Sequence, residues 1–170
     1  MRFFNTEGPI RPDEHYSLPP LQRWDLAEVR ALIDQKKYFL LHAPRQTGKT
    51  SCLLALMDYL NQEGRYRALY ANIEGVQTAR EDVDRGMAAI CSVLGRSARL
   101  YLQDRGLADW YRDGGAAVPA DDRLAQLLEC WAAADPRPAV LLLDEVDALV
   151  GDTLIAVLRK LHAGYNQRPH

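Results

Sequence analysis

The chain has 170 residues, enough to bury one hydrophobic core, and its composition of 48% hydrophobic and 26% charged residues is typical of a soluble globular domain. The net charge of −2 gives no overall field that would draw the protein to nucleic acid or to an anionic membrane. The first residues lack the apolar core of a signal peptide and no run is long enough to span a bilayer, so we expect a cytoplasmic protein with no membrane partner.

The N-terminal part of the chain predicts an irregular arm over residues 1–25, because it is rich in proline, glycine and polar side chains. Asp25, with Glu28 three residues later, has the pattern of a capping box and predicts a helix over residues 26–35. The apolar run that follows predicts a buried strand from about Lys37 to Leu41.

Residues 43–51 connect this predicted strand to the next helix and have the pattern of a phosphate-binding loop: Ala43, Pro44, Arg45, Gln46, Thr47, Gly48, Lys49, Thr50 and Ser51. In such a loop successive backbone N–H groups surround a phosphate, and Gly48 allows the backbone to approach closely. Lys49 brings a positive charge to the β and γ phosphates, and the Thr50 hydroxyl binds Mg²⁺. The positive end of the following helix adds to the attraction. Ala43 replaces the glycine with which the general pattern begins.

The rest of the chain alternates between helical and strand patterns. After the loop we predict a helix to Gln62 stopped by Gly64, then a strand over 65–73. A helix over 78–95 follows, begun by a capping box of Thr78 and Glu81, and then a shorter helix over 97–105. The remaining predicted elements are a loop at 114–115, a helix over 124–134, a strand over 139–143 and a helix over 151–163. This alternation predicts an α/β fold with a parallel sheet. The last strand is apolar throughout, which favours a strand covered on both faces.

Two acidic residues, Asp144 and Glu145, directly follow the last predicted strand. Ligands of parallel sheets gather outside the carboxyl ends of the strands, so both side chains are expected at a binding site. Asp144 would hold Mg²⁺ through water or Thr50, and Glu145 would accept a proton from an attacking water. An acidic residue after an apolar strand is common and is a weak signal by itself. The spacing adds to it, because roughly 95 residues separate Asp144 from Lys49, enough for two crossover units between the motifs.

Together the loop and the stretch Leu-Leu-Leu-Asp-Glu-Val-Asp-Ala-Leu over residues 141–149 resemble the P-loop NTPases of the additional-strand, catalytic-glutamate division, and within it the AAA+ and STAND ATPases. The resemblance implies a three-layer α/β P-loop fold over residues 26–170, with ATP and Mg²⁺ as cofactors and hydrolysis to ADP and phosphate. It implies Lys49 and Thr50 as phosphate and Mg²⁺ ligands, Asp144 as a second Mg²⁺ ligand and Glu145 as the catalytic base.

The same resemblance implies three further features of the site. A polar residue at the end of the second strand would hold the catalytic glutamate inactive until a partner binds, and Asn72 stands at that position. The alternative is that Asn72 simply ends the strand. The N-terminal arm would lie against the adenine, which makes Tyr16 a candidate contact. A second copy of the chain or a partner protein would supply an arginine finger, and nothing in the sequence selects which arginine.

The sheet order of the family places a further strand between the phosphate-loop strand and the Asp-Glu strand. No candidate for it follows before His170, so we expect a truncated module that lacks the C-terminal strands. Direct hydrogen bonding between the strands at 39–41 and 139–143 would contradict this expectation.

Two other functions stay open: a nucleotide-gated switch with negligible turnover, and the motor module of a DNA-processing assembly. The second draws on seven arginines between Arg80 and Arg123, interleaved with Tyr101, Trp110 and Tyr111, which resemble a nucleic-acid surface. Acidic residues alternate with these arginines, however, and favour a solvated helical face.

Overall fold

The computed structural model describes residues 13–16, 18–42, 44 and 47–166, and for residues 163–166 only the backbone. This part of the chain forms α1 (Leu26–Asp34), α2 (Lys49–Glu63), β1 (Arg67–Asn72), α3 (Val83–Leu102), α4 (Gly106–Arg112), α5 (Ala120–Ala133), β2 (Ala139–Asp144) and α6 (Gly151–Asn166). Short 3₁₀ helices cover Pro20–Arg23, Glu74–Ala79, Gly115–Ala117 and Val146–Ala148. None of these helices has the length and apolar character that a membrane span requires.

The two strands form a small parallel sheet among helices, which is compatible with the predicted α/β fold. Their register places Arg67 opposite Ala139 and Asn72 opposite Asp144. Because parallel strands run in the same direction, the polar residues at both carboxyl ends meet at one edge of the sheet.

Helices cover both faces of this sheet. On one face Ala68, Tyr70 and Leu142 pack with apolar residues of α1 and α2. The opposite face carries Leu69 and Ala71, which pack in a second cluster with residues of α3, α4, α5 and α6. The alternation follows from the period of two along a strand. The carboxyl edge of the sheet is thereby positioned next to the beginning of α2.

The strand predicted from Lys37 to Leu41 is not formed. Residues 37–42 have no strand pairing, although their burial alternates: Phe39 and Leu41 pack partly against the α1 and α2 cluster, while Tyr38 and Leu40 are exposed, Leu40 at 82%. The period-two pattern is therefore present without strand pairing among the described residues. Within the described residues β2 is hydrogen-bonded to β1 alone, so the expectation of a missing strand is not contradicted and stays a prediction.

The burial of β2, which pairs only with β1 among the described residues, also differs from the prediction. We expected a strand covered on both faces, yet only Leu142 and Asp144 are buried, and Ala139 is exposed. β1, in contrast, is buried at five of its six positions.

Two predictions around α3 are wrong. The helix begins after Asp82, whose carboxylate accepts the Arg85 N–H at 3.0 Å, and not at a capping box of Thr78 and Glu81. It also continues through Gly95 to Leu102 and absorbs most of the separate helix predicted at 97–105. Gly95 is needed for packing, since a Cβ there would lie 3.3 Å from the Cα of Ala108 in α4, a helix that the sequence patterns did not predict.

The predicted arm contains a short ordered element at its end. The 3₁₀ helix Pro20–Arg23 packs against α2, where the Cys52 thiol donates to the Pro20 carbonyl at 3.3 Å. The predicted cap of α1 is confirmed, because Asp25 accepts the Glu28 N–H at 3.0 Å.

Candidate functional site

The phosphate-binding loop predicted from the sequence ends in a left-handed glycine at the start of α2. Gly48 has φ +78° and its carbonyl accepts the first helical hydrogen bond, from Cys52 N at 3.0 Å. A residue with a Cβ adopts this conformation only with strain. Just before it, the Thr47 hydroxyl donates to the Pro44 carbonyl at 2.7 Å.

No described side chain caps the N-terminus of α2, so the N–H groups of its first turn are not satisfied by a cap. Lys49, Thr50 and Ser51 form this first turn, as predicted. Uncapped N–H groups and the helix dipole together favour an anion at this position. Ala43, Arg45 and Gln46, the other predicted loop residues, lie outside the described residues.

The two predicted motifs meet at the Asp144 carboxylate. The Thr50 hydroxyl donates to Oδ2 of Asp144 at 2.6 Å, although the two residues are 94 positions apart. The Tyr70 hydroxyl donates to the same oxygen at 3.0 Å, and the backbone N–H of Glu145 donates to Oδ1 at 3.0 Å. Helix α2, strand β1 and strand β2 thus converge on one carboxylate.

Asp144 is only 4% exposed, and within the described residues it has no ion-pair partner. Hydrogen bonds to a carboxylate stabilise its ionised form, and three donors offset part of the cost of its burial. Burial and the Asp144 carboxylate raise the pKa of Tyr70, so the phenol stays neutral and donates. The described residues thus place a buried carboxylate at this site without an ion-pair partner among them.

Glu145 adopts a conformation that is uncommon for its residue type. Its φ of +58° is left-handed, and its carbonyl accepts the Ala148 N–H at 3.0 Å at the start of the 3₁₀ helix Val146–Ala148. Non-glycine residues in this region cost on the order of 1 kcal/mol and cluster at functional sites. The half-buried Glu145 side chain follows Asp144 directly, at the carboxyl edge of the sheet.

Asn72, the predicted glutamate switch, lies next to Asp144 in the register of the sheet. Its side-chain oxygen accepts the Glu74 N–H at 2.8 Å, the pattern of an Asx turn that ends a strand. A switch would use the amide nitrogen to hold Glu145, and the turn uses the oxygen. Both interpretations therefore stay open at this residue.

Two residues near the site were missed by the sequence analysis, Tyr70 and Arg23. A Cβ on Gly48 would lie 2.7 Å from Nη1 of Arg23, so a guanidinium from the arm lies directly against the loop. Tyr70 had a usable signal, since it stands two residues before Asn72 and so on the same face of β1. Arg23 had none beyond its charge. The adenine contact of Tyr16 stays a prediction, and this side chain is 56% exposed.

Six of the seven arginines between Arg80 and Arg123 are exposed, and only Arg123 is not. Arg123 is buried, pairs with Asp84 at 2.8 Å and donates to the carbonyls of Val118 and Ala116. The ring of Trp110 packs on Gly115, where a Cβ would collide with it. Arg123 and Trp110 are thus engaged in contacts within the fold, and the nucleic-acid interpretation of the segment stays a prediction.

The donor set around Asp144 fits Mg²⁺ bound mainly by phosphate and water. Among the described residues there is no group of three or more His, Cys, Asp and Glu side chains arranged to hold a metal ion. Mg²⁺ in nucleotide sites commonly takes one or two protein oxygens together with phosphate oxygens and waters. Asp144 and Thr50 provide one carboxylate and one hydroxyl, which matches that requirement.

Comparisons of the chain with protein-family models, with curated proteins and with solved structures find no match.

Proposed function

We propose that this chain is an ATP-binding P-loop domain of AAA+/STAND type that hydrolyses ATP to ADP and phosphate with Mg²⁺. The observation that carries the proposal is the 2.6 Å hydrogen bond between Thr50 and Asp144, which joins the phosphate-loop motif to the Asp-Glu motif. Helices on both faces of a parallel sheet are compatible with the three-layer P-loop fold that we propose for residues 26–170.

Each residue of the site has a role that follows from its position. The uncapped first turn of α2 offers N–H groups to the phosphates, and Lys49 adds a charge to the β and γ phosphates. Thr50 commits its proton to Asp144, so the lone pairs of its oxygen remain for a cation. Bound Mg²⁺ would neutralise charge on the phosphates. Glu145 would orient the attacking water and accept its proton.

The proposed chemistry requires a positive charge near the γ phosphate in addition to Lys49. Arg23 lies against Gly48 and offers a guanidinium from the same chain. A second copy of the chain or a partner protein is the other source. The nucleotide-gated switch remains the alternative function, in which ATP and ADP exchange without appreciable hydrolysis.

Glu145→Gln tests the reaction. An enzyme that uses Glu145 as its base should lose about a hundredfold or more in turnover, while its affinity for a fluorescent ATP analogue stays within about threefold. Asp147→Asn is the matched control, because it makes the same carboxylate-to-amide change at an exposed neighbour and should leave turnover unchanged.

Three outcomes separate the alternatives. Negligible turnover in the wild type, with ATP affinity intact and no effect of Glu145→Gln, would indicate the switch. Turnover that rises on addition of DNA would indicate the motor module. Lys49→Ala with unchanged ATP affinity would contradict nucleotide binding at this loop altogether.

A further inference from the structure

Tyr70 is a buried tyrosine whose hydroxyl points at the candidate metal ligand. The residue is 4% exposed and packs in the cluster formed with α1 and α2. Its ring meets the ring of Tyr101 edge to face, with centroids 5.9 Å apart and planes at 83°. Packing on both sides fixes the ring and therefore the position of its hydroxyl oxygen.

That hydroxyl and Thr50 share one acceptor. Both donate to Oδ2 of Asp144, at 3.0 Å and 2.6 Å, while Oδ1 is held by the backbone N–H of Glu145. Thr50 lies in the first turn of α2 and is itself a candidate ligand, so its bond to Asp144 depends on the state of the loop. Tyr70 lies in the middle of β1, so its bond to Asp144 is anchored in the sheet and not in the loop, while its hydroxyl also interacts with that of Thr50.

We infer that Tyr70 is a positioning residue for the Mg²⁺ site: from strand β1 it holds the Asp144 carboxylate in one orientation, so that the remaining lone pairs of the carboxylate oxygens face the cation. The inference rests on the proposed function. Tyr70 acts through Asp144 and touches neither phosphate nor nucleotide. Hydrogen-bonding partners behind a metal ligand fix its orientation, and their loss commonly costs 10- to 100-fold in metal affinity.

Tyr66 provides a matched control within the same cluster. It is also buried, and its hydroxyl donates to the carboxylate of Asp34, at the end of α1 and away from the two motifs. Tyr70→Phe and Tyr66→Phe therefore remove the same group, a phenol hydroxyl bonded to an aspartate. Both keep the ring, so packing is preserved.

The experiment measures the affinity of the full chain for a fluorescent ATP analogue, first in EDTA and then across a Mg²⁺ titration. Tyr70→Phe should raise the Mg²⁺ concentration at half-maximal effect roughly tenfold and leave the affinity in EDTA within twofold of the wild type. Tyr66→Phe should leave the Mg²⁺ midpoint unchanged. A midpoint within twofold of the wild type for Tyr70→Phe, or an equal shift in both variants, would overturn the inference.

A double-mutant cycle with Asp144→Asn tests whether Tyr70 acts through the carboxylate. In that background Tyr70→Phe should produce no further shift of the Mg²⁺ midpoint, whereas an additive shift would refute the positioning role. The two proposals fail differently: a wild type that does not bind the analogue refutes the proposed function and this inference with it. Binding that responds to Mg²⁺ equally in the wild type and Tyr70→Phe refutes only the inference.

Discussion

The two ends of the sheet treat buried charge in opposite ways. At the carboxyl end the Asp144 carboxylate is held by two hydroxyls and one backbone N–H, and the described residues supply no cation. At the amino end Arg67 is 9% exposed and forms an ion pair with Asp104. The described residues thus hydrogen-bond Asp144 but do not neutralise its charge, whereas they both hydrogen-bond and neutralise Arg67.

The amino end is fully compensated. The Arg67 guanidinium also donates to the Trp131 carbonyl at 3.1 Å, lies 5.3 Å from the centroid of the Trp131 ring, and has Nε 4.0 Å from Asp135. Arg137 is the main group that holds the pKa of Asp135 below its usual range, with Arg67 adding to it. A cavity of about 550 Å³ opens beside these residues, but their charges are already paired.

The difference separates a structural cluster from a candidate binding site. Paired charges at the amino end join β1 to the residues around α3 and α5, and no additional ion is needed there. An uncompensated carboxylate costs free energy when it is buried, and a bound cation would recover that cost.

Removing the charge at each end of the sheet tests this difference most directly. Arg67→Met should lower the free energy of unfolding by about 3 kcal/mol, because it leaves Asp104 without its partner in a largely buried position. Asp144→Asn should cost less than about 1 kcal/mol, because the amide oxygen can accept the Glu145 N–H, the Thr50 and Tyr70 hydroxyls can turn to accept from the amide NH₂, and no buried charge remains. Urea denaturation with a common m value measures both changes.

Ligand binding should respond in the reverse order. Asp144→Asn should raise the Mg²⁺ concentration at half-maximal effect on ATP affinity severalfold, and folded Arg67→Met should leave that concentration unchanged. Greater destabilisation by Asp144→Asn than by Arg67→Met would show that Asp144 belongs to the framework of the fold and would remove the basis for a site there.

Local patterns in the sequence predicted most of the helices and both strands that form. Asp25 as a cap, Gly64 as a helix end and the apolar run before Asp144 depend on interactions within a few residues, and all three are confirmed. The two motifs predicted Thr50 and Asp144 as partners because their chemistry is tied to position within each motif.

Local sequence patterns did not predict the contacts between elements that are distant in the chain. Gly95 reads as a helix end in the sequence, yet it lies inside α3 because α4 packs against it. Glu81 reads as part of a capping box, yet its carboxylate lies 3.4 Å from the Asp152 N–H at the start of α6. The strand at 37–41 shows alternating burial without pairing, since pairing depends on a neighbour that the local sequence does not reveal.

A smaller effect is expected from the backbone of Glu145. The change in stability on substitution by glycine shows whether the left-handed backbone at the carboxyl end of the sheet is strained. Glu145→Gly should raise the free energy of unfolding by about 0.5 to 1 kcal/mol, because glycine adopts φ +58° without the steric cost of a Cβ. The same substitution removes the proposed base, so turnover should be lost as stability rises.

Gln103→Gly is the control for that substitution, since Gln103 has φ +55° at the end of α3, is exposed and lies outside the proposed site. It should give a similar gain in the midpoint of urea denaturation with turnover unchanged. If Glu145→Gly destabilises the protein instead, the Glu145 side chain makes contacts that outweigh its backbone strain.

The smallest effect is expected at Asn72, whose side-chain oxygen ends the strand and whose amide nitrogen is the group proposed to hold Glu145. Asn72→Ser keeps an oxygen that accepts the Glu74 N–H but removes the amide nitrogen. A residue that only ends β1 should then lose about 0.3 to 0.5 kcal/mol of stability, because serine forms this turn more weakly, and ATP turnover should change less than twofold. A several-fold rise in turnover without a partner would instead indicate that the amide nitrogen holds Glu145 back, and would assign Asn72 to the site at the carboxyl end.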